Sequence, residues 1–301
     1  METELSMHTM PTNSPVAHSV WKSYYSLTKP GIIYGNAINV IAGSILASRG
    51  HLHIALLSMT LVGISLVIGS GCVFNNYIDR DIDALMERTK RRTLVIGSVS
   101  QRHALLFATI LGILGTTTLL FGTNILATFI ALIGLFFYVI VYSLWAKRAN
   151  IYGTLVGSIS GAVPPVVGYV AVTGSIDLGA VLLFAILTVW QMPHSYAIAI
   201  YRMSDYANAR IPILSVVKGV RTTVIHMIVY TLLFAMLTPL LYMYGYTGMI
   251  YLVIMTITSL LWFTFAVHGL YTSFVDIWAK KMFKYSILVV LIFAIAISIN
   301  T

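Results

Sequence analysis

Four of the chain's nine acidic residues fall in one short run, Asp79-Arg80-Asp81-Ile82-Asp83-Ala84-Leu85-Met86-Glu87. Asn75, Asp79 and Asp83 recur at intervals of four, so on a continued helix they share one face and can aim oxygens at one point. Asp81 lies about half a turn away, which makes it a poor co-ligand. Mg²⁺ takes carboxylate and phosphate oxygens and keeps several waters. Asp79 and Asp83, with Asn75 assisting, are therefore the expected metal ligands. The cationic run Arg88-Thr89-Lys90-Arg91-Arg92 follows at once, as a site for a multiply charged diphosphate requires. A solvated loop with self-paired charges is the plain alternative. The scarcity of acids elsewhere and the four-residue spacing at the end of an apolar run favour a functional site.

These residues must be positioned by helices in a bilayer. Of 301 residues, 58% are hydrophobic and 9% charged, with mean hydropathy +0.90; soluble domains carry roughly a quarter of their residues as charges. Charge-free stretches broken at Gly, Pro and Asn give nine candidate spans in an all-α bundle, near 31–48, 54–78, 103–121, 125–145, 151–173, 178–201, 223–244, 248–268 and 284–300. Every second connection is short and nearly uncharged. The others, with the N-terminal tail, hold all the Lys and Arg of the chain except Arg49. By the positive-inside rule the N-terminal tail and the basic connections are expected in the cytoplasm and the C-terminus in the periplasm. The nine-charge positive excess is thus read as topology, with no nucleic-acid partner. The first twenty residues contain Glu2 and Glu4 and no Arg, and lack an apolar signal core. This points to a bacterial inner membrane. Residues 1–22 are expected to be a tail and 23–301 one domain.

Other features invite structural readings. Cys72, the only cysteine, excludes an intrachain disulfide and reads as packing. Pro164-Pro165 is expected to kink or break the fifth span. The second and sixth spans both end in Asp-bearing segments, at Asp79 and at Asp205, on the same side, so both ends can converge on one cavity.

Asn75-Asn76-x-x-Asp79-x-x-x-Asp83, followed by Met86-Glu87-Arg88-Thr89-x-x-Arg92, resembles the first aspartate-rich motif of the UbiA-type intramembrane aromatic prenyltransferases. Trp190-Gln191-Met192-Pro193-His194, the segment Asp205-Tyr206 to Lys218-Gly219, and Thr28-Lys29-Pro30 are similar to the branch of that superfamily that farnesylates haem. The likeness runs from about Lys22 onward. Two departures stand out: Asn76 replaces a frequent Asp, and Asp205 has Ala209 rather than an acid four residues on.

The resemblance implies Mg²⁺-dependent transfer of farnesyl from farnesyl diphosphate to a vinyl carbon of haem b, for haem-copper oxidase biogenesis. A haem A synthase or a terminal oxidase assembly would lie downstream. It casts Asp79, Asp83, Arg88 and Arg92 as catalytic, and Asn75, Lys90, Asp205 and Lys218 as diphosphate-binding. At the acceptor end His194 is implied either as a haem contact or as a residue bonded to a neighbouring helix. The alternatives are another aromatic acceptor such as 4-hydroxybenzoate, or a haem or lipid carrier without chemistry. Carriers gather charge near mid-span, whereas here acids gather at helix ends.

Overall fold

The computed structural model describes residues 20–299. Among them, nine helices are long and apolar enough to cross a membrane. They are α1 Pro30–Ser48, α2 Ile54–Ile78, α3 Gln101–Gly122, α4 Ile125–Ala149, α5 Gly153–Thr173, α6 Leu178–Tyr201, α7 Gly219–Met243, α8 Met249–His268 and α9 Val275–Ile299. A short helix, Val20–Leu27, precedes α1. Thr301, which the sequence reading places in the periplasm, lies outside the described residues, as does most of the tail.

The spans agree with the sequence reading within a few residues, except at the start of the last. Here α9 begins at Val275 instead of near 284. Its first turns are amphipathic: Trp278, Ala279 and Met282 are buried while Lys280, Lys281 and Lys284 are exposed. Charge marked a connection in the sequence, but it lies on the wet face of a helix.

Helices α1, α5, α6 and α9 pack around the centre; α2 and α4 flank α1 and α5, with α3 packed on α2 and α4, and α7 and α8 flank α6 and α9. Small residues allow the closest crossings, as expected where lipid is the solvent. A Cβ on Gly115 of α3 would lie 2.8 Å from the Gly63 carbonyl of α2. Of the kink or break expected at Pro164-Pro165, the break is absent: α5 runs as one helix through both prolines, and the Pro165 carbonyl sits against Gly43 of α1.

α4 departs from regular geometry where it matters for the site. Residues Phe137–Ala146 form a π-helix, a rare form that often marks functional segments. Ser143 Oγ donates to the Tyr138 carbonyl five residues back, at 2.7 Å. This widened turn turns Tyr138 and Tyr142, stacked with centroids 6.0 Å apart, toward the interior.

Candidate active site

A cavity of about 340 Å³ opens at one end of the bundle, where α2 and α6 both terminate. Its floor and walls come from α1, α2, α4, α5 and α6, and two connecting segments, 79–92 and 203–213, cap it. The caps hold each other through Ile82, Met86, Ala209 and Ile211, which form a separate apolar cluster. Convergence of the two Asp-bearing ends is therefore what the fold produces.

The acidic face forms as the spacing implied. α2 ends at Ile78, and after Asp79 a single helical turn, Arg80–Asp83, carries the direction on; Asp83 N–H donates to the Asp79 carbonyl at 2.8 Å. Asp79 and Asp83 are each 1% exposed and both line the cavity. One oxygen of each is committed. Asp79 Oδ2 accepts from Lys147 Nζ at 2.5 Å and from Asn75 Nδ2 at 2.7 Å, and Asp83 Oδ2 accepts from Arg92 Nη1 at 2.5 Å. The other oxygens, Asp79 Oδ1 and Asp83 Oδ1, are buried with no hydrogen-bond partner. Leaving a buried carboxylate oxygen unsatisfied is costly, and two of them beside one cavity suit a hard cation. Among the described residues no group of three His, Cys, Asp or Glu gathers as a metal cage. Two carboxylates completed by phosphate oxygens and waters is the usual Mg²⁺ arrangement.

Asp81 does point away. Its side chain is 62% exposed, and Arg148 grips it with two bonds of 2.7 Å. The guanidinium hydrogen bonds hold the Asp81 carboxyl down at about 2.

Four cations line the cavity against the two carboxylates: Lys29, Arg88, Arg92 and Lys147. Arg88 and Arg92 were legible in the motif. Lys29 and Lys147 were not assigned to the site, because each stands at a span's end and reads there as topology. Lys29 has a further signature. It adopts a left-handed backbone, φ 51° and ψ 65°, just before Pro30, and its Nζ bonds Asn75 Oδ1 at 2.5 Å. Such a conformation costs a non-glycine residue roughly 1–2 kcal/mol and clusters at functional sites. Burial pushes the Lys29 ammonium down to about 8. The tyrosines from the π-segment and Gln191 of α6 were also unforeseen; Gln191 lines the cavity, its amide lying where a Gly161 side chain would be.

Four expected site residues have partners or positions other than those expected, and a fifth, His194, makes one of its two expected contacts. Asn75 lines the cavity, but its carbonyl oxygen is engaged by Lys29 and its amide bridges Asp79 and Ser143. Lys90 is exposed and pairs with Glu87 at 2.7 Å. Lys218 is exposed at the start of α7, away from the lining. Asp205 is buried yet faces the backbone of the other cap: its Oδ1 accepts from Glu87 N–H at 3.1 Å. His194 points to α9, with Nδ1 bonded to Ser286 Oγ at 2.7 Å and the ring stacked on Trp190 and near Phe283, centroids 4.9 Å from each. Its Nδ1 thus makes an interhelical bond.

The UbiA prenyltransferase family matches residues 36–288. A protoheme IX farnesyltransferase of Klebsiella pneumoniae is 50% identical over 281 residues, covering 93% of this chain and 95% of that protein. In fold, the chain is similar to a digeranylgeranylglyceryl phosphate synthase, with TM-score 0.77 and 23% identity over 93% of this chain and 98% of that one. It is also similar to a UbiA homologue from Archaeoglobus fulgidus bound to DMAPP and Mg²⁺, with TM-score 0.65 and 14% identity over 92% and 99% of the two chains. The aspartate face at the end of α2, the nine-helix bundle around it and the match over residues 36–288 agree: the chain belongs to the UbiA prenyltransferase family.

Proposed function

We propose that this chain farnesylates haem b at a vinyl group, using farnesyl diphosphate and Mg²⁺ and yielding haem O. The observation that carries the diphosphate half is the pair of buried carboxylate oxygens without a hydrogen-bond partner, Asp79 Oδ1 and Asp83 Oδ1, on residues that line a cavity with four cations. The acceptor half rests on half-identity along nearly the whole chain to a protoheme IX farnesyltransferase.

In the balanced reaction, a vinyl carbon bonds to C1 of the farnesyl chain as the C1–O bond to diphosphate breaks. The neighbouring carbon takes the oxygen of water and a proton is released. Haem b, farnesyl diphosphate and water thus give haem O, diphosphate and H⁺. Mg²⁺ bound at Asp79 and Asp83 would neutralise charge on the departing oxygens. The chain's own cations do the rest of that work. Arg88 and Arg92 offer planar forks and Lys29 and Lys147 point charges, fixed before substrate arrives and so needing little reorganisation. Tyr138, Tyr142, Ile198 and Ile213 wall the cavity and keep bulk water from an electron-poor allylic carbon.

Membranes carrying the protein, given haem b, farnesyl diphosphate and Mg²⁺, are expected to yield a haem heavier by a farnesyl group plus a hydroxyl, read by mass spectrometry. Prenylation of 4-hydroxybenzoate with haem b untouched would keep the transferase reading and end the haem assignment. Neither product, with ligand recovered intact, would favour a carrier.

The reading places the single domain in a bacterial inner membrane with the cavity mouth toward the cytoplasm, and gives haem O to a haem-oxidising enzyme or an oxidase assembly. Cysteines introduced at positions 90 and 218, both exposed, should react with an impermeant thiol reagent applied from the cytoplasmic side, while Cys72 is buried and silent. Labelling of the two from opposite faces would break the convergent site.

A further inference from the structure

Trp190 and His194 stand one turn apart on α6, and both hold Ser286 of α9. The Trp190 indole N–H donates to the Ser286 carbonyl at 2.9 Å, and His194 Nδ1 bonds the Ser286 hydroxyl at 2.7 Å. These two bonds fix the rotation of α6. Gln191 and Ser195 each come one residue later, about 100° further round the helix, and both line the cavity. Opposite them α5 makes room: a Cβ on Gly161 would fall on the Gln191 amide. Gln191 Nε2 donates to the Ser158 carbonyl at 3.3 Å, which fixes the amide plane and leaves Oε1 to accept. Gln191 also lies ten residues from the end of α6 at Tyr201, about 15 Å of helix into the bundle. Asp79 and Asp83 instead follow the end of α2.

We propose that Gln191, with Ser195 one turn on, holds the water whose oxygen becomes the hydroxyl of the product. The inference rests on the reading that the chain farnesylates haem b. With diphosphate at the aspartates, the reacting atoms run inward as diphosphate, C1, the two vinyl carbons and then water. As the terminal vinyl carbon bonds C1 and the C1–O bond breaks, positive charge passes to the ring-attached vinyl carbon. A lone pair of the held water forms the new C–O bond there, and an oxygen of the released diphosphate takes the proton. Gln191 Oε1 accepts a hydrogen bond from that water and so aims its oxygen at the carbon. A neutral amide suits the task, because a carboxylate in its place would trap the cation as an ester. Without a placed water the same cation loses a proton from its neighbouring carbon, and the product is an alkene lighter by one water.

The test reads that choice of product. Parent, Gln191→Met and Gly161→Ala proteins are given haem b, farnesyl diphosphate and Mg²⁺, and the extracted haems are separated by chromatography and identified by mass spectrometry. The ratio of alkene to hydroxylated haem does not depend on how much active protein survives. Methionine keeps the length of glutamine without the amide, and Gln191→Met should raise the ratio about tenfold or more. Gly161→Ala displaces the amide without removing it and should shift the ratio the same way. A parental ratio in Gln191→Met overturns the proposal, and a raised KM for haem alongside it would make Gln191 a haem contact instead. If Gln191→Met forms no haem product, the ratio in Gly161→Ala decides. Loss of all haem product in both variants would assign the pair to bond formation or to the fold, and overturn the proposal too. A parent that forms no farnesylated haem would sink the functional reading itself, whatever the variants do.

Discussion

Asp83→Asn should lower turnover by at least about 10²–10³-fold while leaving the protein folded, and Asp79→Asn should do the same. In each carboxylate a fixed cation holds one oxygen, Arg92 for Asp83 and Lys147 for Asp79, and the second is buried with no hydrogen-bond partner, Arg148 Nη2 lying 3.8 Å from that of Asp79. Asparagine can keep the oxygen that faces the cation. It then turns an NH₂ group toward the position a Mg²⁺ would take, where a donor is repelled and no charge is supplied. Structure suffers less than chemistry, since the committed bonds survive. Asp81→Asn is the internal control. Its carboxylate is largely exposed and pairs only with Arg148, and exposed pairs contribute at most about 1 kcal/mol. Its turnover should stay within about fivefold of the parent. Thermal melting and farnesyl diphosphate consumption across a Mg²⁺ titration would separate the cases. Full activity in Asp83→Asn would remove the metal assignment, and equal losses in all three variants would point to the fold of the turn instead.

What could be read in advance follows from which signals are local. Span positions come from runs of apolar residues, and the Asn75, Asp79, Asp83 face comes from a spacing of four; both are properties of a few adjacent turns. The outward aim of Asp81 follows from the same periodicity. The failures are contacts made across the bundle. His194 gives no hint in sequence that Ser286, on α9, will take its Nδ1. Nor does Asp205 reveal that its partner is a backbone N–H in a different connection. Lys29 and Lys147 carried a competing explanation, since a cation at a span's end is what topology demands, and only their bonds to Asn75 and Asp79 give them to the site. The π-segment of α4 left no composition signal. Its sequence, FYVIVYSLWA, is that of any buried apolar helix.

Gly168→Ala should be among the most damaging substitutions outside the cavity, although it adds one methyl group. α1 and α5 cross backbone to backbone at two reciprocal points. The Val40 carbonyl lies where a Cβ on Gly168 would stand, and the Pro165 carbonyl where a Cβ on Gly43 would stand. Ser44 Oγ fastens the crossing by donating to the Gly168 carbonyl at 3.0 Å. A flexible side chain could swing aside, but these are main-chain atoms inside two helices, so relief requires α1 to move off α5 as a body. Overpacking usually costs about 1–3 kcal/mol, and a clash with backbone belongs at or above the top of that range. The consequence reaches the site, because α1 carries Lys29 at its N-terminus and Lys29 bonds Asn75. Farnesyl diphosphate binding should therefore weaken even in protein that remains folded. Gly35→Ala, on the same helix but with nothing within 4 Å of the added Cβ, is the matched control. It should be neutral or stabilising by a few tenths to about 1 kcal/mol, since alanine favours helix over glycine. Melting curves in detergent and binding of a non-hydrolysable farnesyl diphosphate analogue give both readouts. A Gly168→Ala protein that melts and binds like the parent would mean that α1 and α5 do not approach this closely, and that the placement of Lys29 must be derived from something other than their crossing.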